Sequence, residues 1–520
     1  MDRLPHELVQ QIVDFIRGPP KPLMHGQYCS CSKCWWPRRN LASYATLSRR
    51  WQAVVERTIW QDIKLRRGHS LVQLKKYTSA SSSVNTSSQD HDAHGAYYRR
   101  DRIRYIRAMT WAWDPDRIPL QGTKDELPEA YNKHFHASLV ELFTLLESWR
   151  DMKANTGMEL ALYLGGNTFI DLPDEVLWEL QPSVAELATL SIDQLWHRAL
   201  IPHQLHLSPA SVHELPMLPY ITCFGLHEPD DSEVTPSVFL GLLSRLPNVK
   251  RVYGGEGHAI LGGAWKALVE QRQEIIDHLP LVPQSVETFK YKIDYMREMS
   301  HNPAHNAANY LSPQGLDELS IGFRALSMRL RKLKLQYVRI SSALFWPGEG
   351  ETVDATTLYW PHLEELLIQG VPPYTTDGQW ILDNDPDKWY NNEDLSLEDD
   401  PDQDWEYDAG GFYGPREPIK GHEADTIYSA MGYAVQRMPR LRILDFSFRA
   451  ESGDRGPNEW LKFERDVKTG KADLAICSNS GFRVGEEVLD AWKVHEAGEE
   501  KVGEMKRRYG RVTFETWPPA

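Results

Sequence analysis

Apolar residues near the start of the chain recur at the spacing of helical faces. Leu8, Ile12 and Phe15 lie on one side of a first predicted helix. Two further amphipathic stretches follow, with the apolar sets Leu41, Tyr44 and Leu47, then Trp51, Val54, Val55, Ile59 and Trp60. Three short helices bury little core among themselves, so we expect their remaining apolar surface to contact a partner.

From residue 103 onward, short apolar runs alternate with longer amphipathic stretches. Residues 103–109 and 158–164 are predicted strands, and residues 135–149 have the apolar spacing of a helix. Strands that alternate with helices of this length are typical of α/β proteins.

One local pattern recurs: an apolar residue, Pro, one or two variable positions, then two apolar residues three positions apart. It occurs at residues 246–252, 282–289, 360–366 and 438–444, and without the proline at 330–335. The strands predicted from it begin at Val249, Val286, Leu330, Leu363 and Leu441. The distances along the sequence between these strand starts are unequal, which indicates irregular strand–helix repeats. The predicted helices are long for a regular repeat, and no repeat has an Asn that would cap its turn. A single doubly wound α/β domain therefore remains an alternative.

Composition excludes several classes of protein. The 520 residues include 58 Lys and Arg against 73 Asp and Glu, a net charge of −15, which argues against nucleic acid as a partner of the whole chain. Five cysteines cannot cross-link a chain of this size, and no apolar run has the length of a signal peptide core or a membrane span. We therefore expect no membrane partner and a location in the cytoplasm, the nucleus or both.

Two stretches lack the apolar residues of a core. Residues 66–102 are expected to be a linker that contains a Ser-rich tether, residues 78–95. Residues 377–408 hold 13 acidic residues against the single Lys388, and are expected to form a mobile acidic loop.

The first 65 residues resemble a known family, the F-box proteins, and fungal members in particular. The matching residues are Leu4, Pro5, Glu7, Leu8, Ile12, Leu41, Leu47, Ser48, Arg49, Trp51, Ile59 and Trp60. The resemblance implies a substrate-recognition subunit of a cullin–RING (SCF-type) ubiquitin ligase that docks to a Skp-type adaptor and presents an unknown protein substrate. The adaptor-binding residues that it implies are Leu4, Pro5, Leu8, Ile12, Leu41, Leu47, Trp51 and Trp60.

The predicted fold is multidomain, with α and α/β parts. A three-helix F-box over residues 1–65 is followed by the linker and then, over residues 103–520, by an α/β region that resembles an irregular leucine-rich-repeat solenoid. The alternatives are a three-helix core without a partner and, for the whole chain, an enzyme or a scaffold outside a ligase.

An insert, residues 18–39, interrupts the F-box motif. It contains His25, Cys29, Cys31 and Cys34, which could supply the four ligands of a tetrahedral zinc site. Structural zinc sites usually use pairs of Cys two residues apart, so three reduced loop thiols are the preferred interpretation, and no cofactor is expected.

Motifs of catalysis are absent from the sequence. It has no Gly-x-Ser-x-Gly, His-Glu-x-x-His or phosphate-binding Gly-x4-Gly-Lys-Ser/Thr motif. We therefore expect a non-enzymatic protein.

The repeats place a further set of side chains on the free side of the predicted sheet. These are the candidate substrate-binding residues Thr288, Lys290, Lys332, Lys334, Glu365, Ile443 and Asp445. They mix both signs of charge, as a protein-binding surface would, although unrelated solvated groups would give the same pattern.

Overall fold

A computed structural model describes most of the chain. The described residues are 8–9, 11–12, 49–65, 70–78, 102–113, 127–163, 189–191, 194, 204–226, 234–255, 264–293, 307–348, 350–372, 374–379, 381, 421–448, 459–478, 482–507 and 509–519. The insert at residues 18–39 and residues 79–95 of the Ser-rich tether lie outside them.

Twelve strands are described. They are β1 (Asp62–Leu65), β2 (Ala108–Ala112), β3 (Met158–Tyr163), β4 (Ile221–Leu226), β5 (Arg251–Gly255), β6 (Thr288–Lys292), β7 (Lys332–Gln336), β8 (Glu365–Val371), β9 (Ile443–Phe448), β10 (Trp460–Arg465), β11 (Ala472–Cys477) and β12 (Tyr509–Phe514).

Helices lie between most of these strands. They are α1 (Arg49–Ile59), α2 (Ser70–Thr78), α3 (Leu127–Glu147), α4 (Arg150–Lys153), α5 (Pro209–Glu214), α6 (Pro236–Leu243), α7 (Trp265–His278), α8 (Glu318–Ser327), α9 (Gly421–Val435), α10 (Glu486–Ala491) and α11 (Glu499–Met505). Short 3₁₀ turns occupy Leu279–Leu281, Ser342–Leu344, Ala355–Thr357 and Val494–Ala497.

The prediction of a separate three-helix head followed by a solenoid is wrong. The strands form one twelve-stranded, mostly parallel sheet in chain order, which makes the described chain an α/β protein. Strand β1, inside the predicted head, pairs in parallel with β2, with Asp62 opposite Ala108. Arg107 N also donates a hydrogen bond to Gln61 O at 2.8 Å. The end of the predicted head therefore belongs to the sheet.

The chain divides into two compact units. The first comprises Met1–Thr168, Gln204–Gly254 and Leu281–Val286, and the second Phe169–His203, Gly255–Pro280 and Glu287–Ala520.

Parallel strand pairing organises the first unit, from β1 to β5. Helix α3 confirms the predicted helix at residues 135–149, and its side chains Leu139, Leu142 and Leu146 are fully buried. Residues 103–105, predicted as the start of a strand, are helical, and β2 begins only at Ala108.

Lys153 is a fully buried cation in this unit. It ends α4, and its ammonium donates hydrogen bonds to the carbonyl oxygens of Ile106 and Arg104. Burial, with a further contribution from the charge of Arg107, lowers the pKa of Lys153 from 10.5 to about 8. The folded state therefore releases this proton at a lower pH than the unfolded chain does.

We expect Lys153 to make stability rise with pH between about 8 and 10.5, since the unfolded chain alone binds the proton there. The rise amounts to at most about 3 kcal/mol. The Lys153→Met variant has no such group, so the difference in melting temperature between wild type and variant should change across this window. Two melting curves that keep a constant offset from pH 7 to 11 would contradict the assignment.

Strands β6 to β9 of the second unit pair in parallel, and β9 to β12 in antiparallel fashion. The recurring pattern has the same structure in both units: β5 to β9 each begin two residues after the apolar residue that was predicted to start the strand. Val286 is 1% exposed, and its N–H donates to Pro283 O at 3.2 Å. The apolar residue thus closes a turn and enters the core before the strand starts.

The predicted acidic loop begins inside a described turn. Ala307 N donates to Gly378 O, and Tyr310 N donates to Thr376 O, both at 2.8 Å. Apart from residues 377–379 and 381, the stretch 377–408 lies outside the described residues.

A buried ion pair joins α7 to the start of α8. Arg272 Nη2 donates to Asp317 Oδ1 at 2.7 Å, and the side chains are 5% and 2% exposed. Asp317 also caps α8 by accepting hydrogen bonds from Ser320 N at 3.2 Å and Ser320 Oγ at 2.5 Å. Burial alone would raise the pKa of Asp317, but Arg272 and Ser320 outweigh it and hold the pKa below its ordinary value. The carboxylate is therefore charged at neutral pH.

Candidate functional site

One face of the sheet in the second unit is polar and accessible. Along β6, β7, β8 and β9, side chains alternate between fully buried and partly exposed positions. Residues at alternate positions of a strand point to opposite faces, so the partly exposed residues share one face. We call this surface the polar face.

The seven predicted substrate-binding residues all lie on the polar face, in two neighbouring rows. Strand register sets the first row as Thr288, Lys332, Glu365 and Ile443, and the second as Lys290, Lys334, Leu367 and Asp445. The structure therefore brings together residues that are up to 157 positions apart in the sequence, from Thr288 to Asp445.

Positive charge is concentrated at one end of the polar face. Strands β6 and β7 carry Lys290, Lys292, Lys332 and Lys334, which we call the lysine cluster, and no acidic residue. The acidic side chains of the next two strands on this face are Glu365 and Asp445.

Both of these carboxylates accept hydrogen bonds from neighbouring side chains. Glu365 accepts from Lys332 Nζ and, at 3.1 Å, from Arg442 Nη2. Asp445 Oδ2 accepts from Gln369 Nε2 at 2.7 Å. These bonds fix the acidic part of the face.

Lys334 lies in the middle of the lysine cluster. Partial burial lowers its pKa, Lys332 and Lys292 lower it further, and Asp445 offsets part of the effect. An anion bound beside it would reverse this shift, because an opposite charge favours the protonated form.

Tyr337 stands at the carboxyl end of β7, next to the cluster. Its backbone is left-handed, with φ of 58°, which is uncommon for a bulky residue. Gly370 makes room for the ring, since a Cβ there would lie 2.5 Å from Tyr337 Cε1. The Lys292 ammonium lies 5.8 Å from the centre of the ring. A partly exposed aromatic ring is thus held in a costly conformation beside the lysines.

The antiparallel strands extend the polar face with residues that the sequence analysis missed. Lys462 of β10 pairs with Asp445, and Ala475 and Arg511 continue the row on β11 and β12. Trp460 of β10 and Tyr509 of β12 form an edge-to-face pair at 5.8 Å between ring centres. The period-two alternation of residues 460–465 and 509–514 was the signal that could have revealed these strands.

The candidate adaptor-binding residues have different surroundings. Leu8 and Ile12 lie in a helical segment and are 44% and 38% exposed, whereas Val9 between them is fully buried. Trp51 is 4% exposed and belongs to the core, and Trp60 is partly exposed beneath the Arg102 guanidinium, 5.3 Å from the ring centre. The other four candidates lie outside the described residues: Leu4, Pro5, Leu41 and Leu47.

Metal ligands and membrane helices can be assessed only in the described ranges. No group of three or more His, Cys, Asp and Glu side chains is placed there to hold a metal ion. The zinc candidates His25, Cys29, Cys31 and Cys34 lie outside these ranges. None of the helices that the structure describes combines the length and apolar character needed to span a bilayer.

The sequence matches no protein-family model, and no curated protein matches it.

Proposed function

We propose that this chain is a substrate-recognition subunit of a cullin–RING ubiquitin ligase. Its N-terminal segment docks to a Skp-type adaptor, and the polar face of its second unit binds the protein to be ubiquitinated. It works as a non-enzymatic binding protein, without a cofactor, in the cytoplasm or the nucleus.

The exposure of Leu8 and Ile12 is the observation that carries the adaptor-docking part. The two residues are four positions apart, so they share one face of the helical segment. Both remain partly exposed while the intervening Val9 is fully buried. Large apolar side chains left together on a surface are the usual anchors of protein partners. They also belong to the motif that resembles the F-box.

The polar face supports the substrate-binding part. It combines lysines, carboxylates and partly exposed Trp460 and Ile443, which is the mixture of charged and apolar groups found in non-obligate protein interfaces. Its hydrogen bonds between strands hold these groups in fixed positions before a partner arrives.

Co-expression tests the proposal directly. The full chain, expressed with a Skp-type adaptor and a cullin, is expected to elute with both in size-exclusion chromatography. The test requires a chain that is folded, as judged by far-UV circular dichroism. A folded chain that elutes alone at micromolar concentrations of all three proteins would refute the proposal.

Elemental analysis addresses the insert in the same preparation. The preferred interpretation of three reduced thiols predicts no bound zinc in protein purified without chelators. About one zinc per chain that is lost in a Cys31→Ser variant would instead assign the site to His25, Cys29, Cys31 and Cys34.

A further inference from the structure

We propose that a pocket between α7 and the start of α8 binds one large apolar side chain of a peptide segment in which a basic residue follows the apolar one. The inference rests on the proposed function, because it assigns this segment to the protein to be ubiquitinated. It adds a second binding site, separate from the polar face and of different chemistry.

The pocket has a volume of about 220 Å³, and its lining residues all belong to the second unit. Val269 and Ile276 of α7 form one wall, and because they are seven positions apart they share one face of the helix. Leu311 and Pro313, in the segment that precedes α8, form a second wall. Walls of this kind favour an apolar group, which is removed from water on binding.

Two buried residues, Arg272 and Tyr310, also line the pocket. The guanidinium carbon of Arg272 lies 4.4 Å from the centre of the Tyr310 ring. Arg272 also donates hydrogen bonds to Arg339 O at 2.9 Å and to Asp317 Oδ1 at 2.7 Å. A guanidinium held in this way offers a planar surface on which an aromatic ring can stack.

The segment that forms the second wall is held by hydrogen bonds of its own. Ser312 N donates to Leu316 O at 2.9 Å, and Leu316 N donates to Ser312 Oγ at 3.3 Å. Tyr310 N donates to Thr376 O at 2.8 Å. The wall is therefore formed before a partner arrives, which lowers the entropic cost of binding.

The size of the pocket favours a side chain over a whole small molecule. Sites for drug-sized molecules measure about 300–1,000 Å³ and enclose most of the ligand. This pocket is smaller, and it is open to solvent at Val269, which is 38% exposed, and at the exposed Gln273. Since a cavity of about 150 Å³ holds a benzene ring, 220 Å³ admits an indole whose main chain stays outside.

The charges of the pocket favour a basic neighbour for that side chain. Arg272 is neutralised by its buried ion pair with Asp317, so the remaining charged residue of the lining is Glu318. Glu318 is partly exposed, and a basic residue next to the bound apolar one can pair with it. The net charge of −15 also attracts basic segments over longer distances.

Saturation-transfer difference NMR with the full chain tests this inference. The probe is the capped peptide Gly-Ser-Trp-Arg-Ser-Gly at millimolar concentration, which should receive saturation at its indole protons. A counterpart with Ala in place of Trp should bind at least about tenfold more weakly, because it buries almost no apolar surface. A counterpart with Glu in place of Arg should bind about fivefold more weakly.

A bulky residue in the wall locates the bound peptide. Val269→Trp narrows the pocket and is expected to weaken binding of the Trp-Arg peptide about tenfold or more. Its matched control is Val467→Trp, at a valine of the same unit that is 45% exposed and does not line the pocket. The control should bind the peptide like wild type.

Charge reversal at the rim tests the basic residue and needs no change in the wall, so it also decides the matter if Val269→Trp folds poorly. The Glu318→Lys variant should reverse the preference and bind the peptide with Glu in place of Arg more tightly than the Trp-Arg peptide. The matched control is Glu423→Lys, at a partly exposed acidic residue in the first turn of α9. This control should keep the wild-type preference.

The inference would be overturned by equal binding of the Trp and Ala peptides, by equal weakening in Val269→Trp and Val467→Trp, or by an unchanged preference in Glu318→Lys. Adaptor co-elution of the same variants is expected to equal that of wild type. Peptide binding without adaptor co-elution would refute the ligase function alone, and adaptor co-elution without peptide binding would refute the pocket inference alone.

Discussion

Replacing Leu8 and Ile12 together with Glu is expected to abolish co-elution of the Skp-type adaptor with the full chain. The two side chains are exposed apolar groups on one helical face, and a charge at the centre of an apolar contact must be desolvated without a partner. Apolar anchors of this kind each contribute about 2 kcal/mol or more to binding, so affinity should fall by at least about a hundredfold. Isothermal titration calorimetry with purified adaptor measures the loss.

Val72 provides the matched control for this prediction. It is 59% exposed on α2 of the same unit, outside the motif that resembles the F-box. The Val72→Glu variant should bind the adaptor like wild type, and both variants should keep the wild-type melting temperature. Full adaptor affinity in the Leu8, Ile12 variant would place the docking surface elsewhere.

Replacing Asp317 with Ala is expected to destabilise the second unit by about 3–5 kcal/mol. The change leaves the buried guanidinium of Arg272 without its carboxylate and removes the cap of α8. Urea titration of the full chain, followed by far-UV circular dichroism, should show a lower midpoint for the transition of this unit. On acidification, the stability that Asp317 contributes should fall progressively below the ordinary pKa of an aspartate and be lost as the pH drops through the lower pKa of the folded state, which Arg272 and Ser320 hold down.

A variant of the neighbouring carboxylate is the control that distinguishes loss of the buried ion pair from a general loss of negative charge. Glu318 follows Asp317 in the first turn of α8, where an acidic side chain contributes only about 0.3–1 kcal/mol. The Glu318→Ala variant should therefore remain close to wild type. A midpoint for Asp317→Ala that equals the midpoint for Glu318→Ala would show that the buried pair adds nothing to stability.

The α/β character of the chain was predictable, because it depends on local periodicity. Apolar residues three or four apart predicted α3, and the recurring proline pattern predicted the starts of five strands to within two residues. Each strand begins two residues later than predicted because the apolar residue that follows the turn packs into the core before the strand starts. The pattern of apolar and polar residues does not distinguish this residue from the first residue of a strand.

The membership of residues 62–65 in the sheet, instead of in a separate helical head, was not predictable from the same pattern. Residues 62–65 are too few to show a periodicity of their own, and the F-box resemblance assigned them to the preceding helices. Only pairing with β2, more than forty residues later, makes them a strand. A contact at that sequence distance leaves no local signal.

The candidate site was also predictable from the sequence only in part. The sequence by itself determined which side chains of each strand share a face, since that follows from the two-residue period of a strand. Tertiary structure alone decided which residues meet across strands: Lys290 opposite Lys334, and Lys332 bonded to Glu365. Register depends on how the opposite, buried face packs against the helices, so the charge pattern of the polar face exists only in the folded sheet.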